Sequence, residues 1–109
     1  MPLNLPAPIA AYVSAENRDD IEALGRCFAH NAVVQDEGRT IRGIAAIKQW
    51  KTETKQKYHH TVEPLARVQK DGNIVVTARL TGTFPGSPVD LRFIFELESD
   101  RIASLEIRP

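Results

Sequence analysis

The stretch Phe28–Trp50, FAHNAVVQDEGRTIRGIAAIKQW, decides the architecture. It reads as the end of a helix, a short strand over Ala32–Gln35, a tight turn, and a helix that opens at Gly43. The strand is apolar at first and delivers an acid, Asp36, at its far end. Asp36-Glu37-Gly38 supplies the turn, because Asp bonds its own backbone and Gly tolerates positive φ. The reading of Arg39–Arg42 stays ambiguous. Beyond Gly43, the residues Ile44, Ile47 and Trp50 recur on one helical face. The following KTETKQK is polar and reads as solvated.

Upstream, the pattern is helical. Pro2, Pro6 and Pro8 predict an extended lead-in, with Pro8 suited to a first helical turn. Ile9, Tyr12 and Val13 form one apolar face. Asn17-Arg18 interrupts it, and Asp19 with Glu22 three residues later reads as an acidic capping box for a second helix. Ile21, Leu24 and Phe28 carry that helix's stripe. Gly25 costs it roughly 1 kcal/mol relative to alanine, which points to close packing against a neighbour.

Downstream, the period becomes that of strands. Thr61–Gln69 is the first long one, and Pro64 within it predicts an edge or a bulge. Asp71-Gly72 is a two-residue hairpin signal. Ile74–Phe84, Val89–Glu98 and Arg101–Arg108 follow, with Pro85–Pro88 as the intervening turn. A tip at Pro85–Ser87 would set Gly82 opposite Leu91, Leu80 opposite Phe93, and Ala78 opposite Phe95. These make one apolar face for the helices to cover. The other face receives Arg79, Thr81, Arg92 and Glu96, but also Val75 and Ile94. That mixture predicts a second subunit packing on it. Helices first and an antiparallel meander afterwards is the α+β pattern.

The 109 residues predict one domain, 1–109, with a single modest core. Fourteen basic residues balance fourteen acidic ones, so no charge excess favours nucleic acid. A lone cysteine, Cys27, allows no internal disulfide and fits the cytoplasm. The N-terminus has neither a basic lead nor an apolar run long enough for a signal peptide or a membrane span.

Taken together, Tyr12-Val13 through Asn17-x-Asp19, Phe28-Ala29-x-x-Ala32-x-Val34, Asp36 and Gly43-x-x-x-Ile47 resemble the nuclear transport factor 2-like superfamily (SnoaL-like, ketosteroid-isomerase-like domains). The resemblance covers essentially the whole chain. It implies a cone: three N-terminal helices packed on a curved antiparallel sheet that wraps a cavity, commonly in a homodimer formed through the sheet. The superfamily hosts isomerases, cyclases, dehydratases, hydrolases and plain binding modules, so the fold alone does not choose a reaction.

The resemblance also assigns candidate roles. Asp36 matches the general base of ketosteroid isomerases, a carboxylate that works from a mostly apolar pocket. As a plain residue it is equally a turn former. Tyr12 matches the phenol that donates to the developing oxyanion, or else is a core aromatic. The second, protonated acid of those isomerases falls on Leu91 here, and alternation sends Asp90 to the opposite face. Steroid isomerisation is therefore disfavoured. His59 and His60 stand where helix passes into sheet, and one of them should face the cavity; His60 is the candidate auxiliary acid, base or donor. Phe28, Trp50, Phe84, Phe93 and Phe95 are expected in the core and around an apolar ligand. No metal-ligand spacing, phosphate loop or activated nucleophile is present, so no cofactor is expected. Two functions remain: cofactor-free proton transfer on a small apolar molecule, of isomerase, cyclase or lyase type, or a non-catalytic dimeric module for ligand binding or interaction.

Overall fold

The computed structural model describes residues 3–109. Met1 and Pro2, part of the expected lead-in, lie outside the described residues. Three helices and six strands follow in order: α1 (Ala7–Asn17), α2 (Ile21–Arg26), β1 (Phe28–Asp36), β2 (Arg39–Arg42), α3 (Ile44–Tyr58), β3 (Thr61–Lys70), β4 (Asn73–Thr81), β5 (Val89–Glu98) and β6 (Arg101–Arg108). The strands form one sheet in the order β2-β1-β6-β5-β4-β3. The helices cover one face, giving the α+β cone. The meander β3–β6 is antiparallel, while β1 pairs with β6 in parallel. Among the described residues no helix is long and apolar enough to cross a membrane.

Local chemistry accounts for most of the elements. Pro8 sits in the first turn of α1, where its missing N–H costs nothing. Two hairpins use left-handed residue pairs. Glu37 (φ 52°) and Gly38 (φ 76°) join β1 to β2, and Asp71 (φ 52°) and Gly72 (φ 81°) join β3 to β4. Positive φ at both central positions is the type I′ geometry that matches strand twist. Pro64 does both things expected of it: β3 is an edge strand, and its register shifts between Pro64 and Ala66. Gly25 packs α2 against α3, since a Cβ there would stand 2.9 Å from Lys48 Cδ.

Four expectations need correction. Phe28 opens β1 rather than extending the second helix, which ends at Arg26. The Cys27 carbonyl accepts from Ile102 N–H (2.8 Å) and Phe28 pairs with Ile102, so the sheet captures a residue whose helical spacing was also satisfied. The cap of α2 is Asp20, whose carboxylate accepts from Ala23 N–H at 3.0 Å, and Asp19 is left-handed (φ 57°). The β4–β5 pairing is displaced by four residues, with Ala78 rather than Gly82 opposite Leu91. The connection is not a tight tip. Thr83 N–H is pulled onto Tyr58 O (2.7 Å), and Gly82 N–H bonds Ser87 Oγ (2.9 Å), so the strands part early. An even displacement keeps each residue on its expected face. Finally, Lys51 in the supposedly solvated half of α3 is buried.

The core between helices and sheet includes Ile9, Leu24, Ile47, Ile102 and Leu105, all at or below 1% exposure. Each such side chain contributes about 1.5–3 kcal/mol by leaving water. Tyr12 lies among them, edge-on to Phe28 and Phe95 with ring centroids 5.9 and 5.8 Å away. Asn17 locks the end of α1 to β3, donating to Val62 O and accepting from Val62 N–H, both at 2.8 Å.

Candidate functional site

Beyond this packed layer, the inner face of the sheet and α3 enclose a cavity of about 470 Å³. Its walls are mostly apolar: Trp50, Leu80, Phe84, Leu91, Phe93 and Ile107 all contribute. Against them stand a few polar groups: Asp36 from the end of β1, Glu16 from α1, Lys51 from α3, and His60 just before β3. Convergent polar groups in an apolar concavity are the usual form of a small-molecule site.

Asp36 is half-buried. The Trp50 indole N–H donates to its Oδ2 at 3.1 Å, which fixes the carboxylate against the wall. The strand delivers Asp36 at the last position before the Glu37-Gly38 turn, and α3 returns Trp50 to meet it. The face of the same indole carries the Lys51 ammonium, 4.2 Å from the ring centroid. Trp50 thus stands between an anion at its edge and a cation on its face, both favourable for an indole.

Glu16 is the centre of the second polar group. Its Oε1 accepts from Lys51 Nζ at 2.7 Å and lies 2.6 Å from His60 Nε2. All three residues are buried. Burial alone would raise the Glu16 pKa, but the Lys51 charge and the His60 and Lys51 hydrogen bonds outweigh it and hold the carboxyl at about 2. Among the described residues, three buried side-chain polar atoms make no hydrogen bond: Glu16 Oε2, His60 Nδ1 and the Tyr12 hydroxyl. The Tyr12 phenol is held well above its usual range, first by burial and then by the Glu16 charge. Burial likewise pushes up the Cys27 thiol.

The cavity brings together Asp36, His60, Trp50, Phe84 and Phe93. Tyr12, Phe28 and Phe95 stand behind its wall, in mutual edge contacts within the core. His59 is exposed in the left-handed conformation (φ 49°) that caps α3, which leaves His60 as the inward histidine. Leu91 lines the cavity, while Asp90 on the other face is bonded by Arg79 Nε at 2.9 Å, which lowers the Asp90 pKa. Glu16, Lys51 and Tyr58 were missed by sequence reasoning. The spacing held a signal for two of them: Glu16 is i+4 from Tyr12, and Lys51 is i+4 from Ile47, each on an inward stripe.

Comparison with known proteins agrees with this architecture. The SnoaL-like domain family matches residues 9–105, and the chain belongs to it. A Sinorhizobium meliloti structure described as a candidate polyketide cyclase is 38% identical, with a TM-score of 0.93 and 96% of each chain covered. A Catenulispora acidiphila protein of ketosteroid isomerase-like fold, solved with trimethylamine, is 20% identical at a TM-score of 0.84, covering 97% of this chain and 87% of that one. A Xanthomonas campestris structure, also described as a candidate polyketide cyclase, is 17% identical at a TM-score of 0.79, covering 92% and 85%. The last two share the fold. A search of functionally curated proteins gives no significant match.

Proposed function

We propose that the cavity binds a small apolar carbonyl compound and that the protein moves a proton on it without a cofactor, with Asp36 as the base. The carrying observation is a carboxylate held by Trp50 on the wall of a largely apolar cavity. The Trp50 bond occupies Oδ2 and leaves Oδ1 for the ligand. Oδ1 takes a proton from the carbon next to the carbonyl, and the C–H electrons form an enolate. Its oxygen needs a donor, and with Tyr12 behind the wall that role falls to the Lys51 ammonium. The proton then returns to another carbon, or the enolate carbon attacks a second carbonyl in the same molecule, forming a C–C bond and an alkoxide that takes the proton back from Asp36. The polyketide cyclase description of the 38%-identical relative supports the second course.

The test is α-proton exchange in deuterium oxide, followed by NMR on enolisable β-diketones such as benzoylacetone. The wild type should accelerate exchange, and Asp36→Asn should reduce the acceleration by on the order of a hundredfold or more while still binding the compound. Equal exchange in both proteins overturns Asp36 as base.

A second reading, a binding module without turnover, is favoured by one observation: Tyr12, the matching oxyanion donor, does not reach the cavity. Tight binding with no exchange above the buffer rate would select it.

In either case we propose a homodimer through the outer face of the sheet. Val68 pairs with Val75 and Val75 with Ile94, an apolar row across three strands, and Val68 is 60% exposed. A monomeric mass by light scattering at micromolar concentration contradicts this.

A further inference from the structure

The contact between Glu16 and His60 fixes more than position. Glu16 Oε1 already accepts from Lys51, and the carboxyl is kept ionised, so it has no proton to give. The hydrogen in the 2.6 Å contact therefore belongs to His60 Nε2. In a neutral imidazole the proton on Nε2 leaves a lone pair on Nδ1. Lys51 supplies the positive charge that Glu16 needs, and an imidazolium would put a second one on the same oxygen. Its Nδ1–H would also be a buried donor without a partner. Among the described residues His60 Nδ1 has no partner, and His60 lines the cavity, whereas Glu16 Oε2 has the buried Tyr12 phenol beside it as a donor. A buried acceptor left unmatched calls for a donor from the ligand.

We propose that Glu16 holds His60 in the Nε2–H tautomer, so that His60 Nδ1 is a second proton-accepting group of the cavity, matched to a ligand that carries a hydroxyl. His60 touches the ligand; Glu16 is a positioning residue, and Lys51 keeps it charged. When the ligand's O–H bond breaks, its electrons stay on oxygen. The proton forms Nδ1–H, and the new imidazolium is paired with the oxyanion it leaves on the ligand. This group acts on oxygen, whereas Asp36 acts on carbon. The inference rests on the cavity being the ligand site, not on Asp36 being a base.

Nitrogen-15 NMR of histidine-labelled protein at neutral pH reads the tautomer directly. The expected result is one histidine, assigned by its loss in His60→Phe, with a protonated Nε2 and a bare Nδ1. Its Nδ1 signal should move on addition of 2-naphthol and not of 2-methoxynaphthalene. In fluorescence titrations the wild type should prefer 2-naphthol about tenfold, the worth of one hydrogen bond. Glu16→Gln should remove that preference, because an amide can donate to Nε2 and reverse the tautomer. A purely structural Glu16 would leave the preference intact in any folded variant. An Nδ1-protonated or doubly protonated His60 in the wild type overturns the proposal, as does equal or absent binding of the two compounds. The wild-type measurements decide the matter even if Glu16→Gln does not fold. Asp36→Asn should retain both tautomer and preference, so failure of the Asp36 reading is told apart from failure of this one.

Discussion

Lys51 and Glu16 lie 35 residues apart in the chain and meet at 2.7 Å with 3% and 1% of their side chains exposed. Both charges come from the inward faces of helices, where apolar residues would normally stand. Taking the two ions out of water is costly, and their attraction offsets that cost only while both remain.

The first prediction follows from that pairing. Glu16→Gln or Lys51→Met alone should destabilise the fold by about 3–5 kcal/mol, because each leaves a buried charge uncompensated. The double variant should lose clearly less than the sum of the two. Urea unfolding of the four proteins checks this, and strict additivity would count against a coupled pair.

A pH dependence comes next. Glu16 is held at about 2 against a usual 4.5. A depressed folded-state pKa gives stability that is full above the unfolded value and lost as pH falls through the folded one. Stability should therefore decline between about pH 4.5 and 2, by on the order of 3 kcal/mol from this group. Glu16→Gln should lack that portion of the decline. Unfolding free energies measured across this window, in both proteins, separate the two cases.

Gly82 is fixed by close approach. A Cβ there would stand 2.5 Å from Tyr58 O and 3.0 Å from His60 Cα. These are backbone atoms with little room to retreat. Gly82→Ala should cost about 1–3 kcal/mol, as overpacking generally does, and should disturb the His60 ring signals. An unchanged melting temperature would contradict the packing described.

Trp50→Phe keeps an aromatic platform beneath Lys51 but removes the N–H that holds Asp36. A hydrogen bond to a charged group is worth about 1.5–3 kcal/mol, lessened here because Asp36 is half-buried and water can replace the donor. A loss of about 1 kcal/mol is expected. Under the proton-transfer reading, exchange activity should fall more steeply than binding, since the base loses its orientation. Equal losses in both would show that Trp50 acts only as a wall.

Much of the architecture was legible because short-range chemistry fixed it. Asp71-Gly72, the Glu37-Gly38 turn, Pro64 in an edge strand and the helix opening at Gly43 all depend on a residue and its neighbours. The failures share a different cause. Phe28 satisfied both a helical stripe and a strand, and Ile102, far along the chain, decided between them. The β4–β5 register depended on Tyr58 O capturing Thr83. The choice between His59 and His60 rested on a left-handed helix cap rather than on strand alternation. Glu16 and Lys51 escaped notice because single charges on a helix are usually solvated. Their placement on two apolar stripes, with opposite signs, was the available clue.

The most direct measurement is a crystal structure of the protein with benzoylacetone bound. The compound should lie in the cavity between Trp50 and Phe93, with its acidic carbon facing Asp36 and an oxygen within hydrogen-bond distance of Lys51 or His60. A compound bound only outside the cavity, or a cavity closed by Trp50 and Phe84 with no space beside Asp36, would contradict the account.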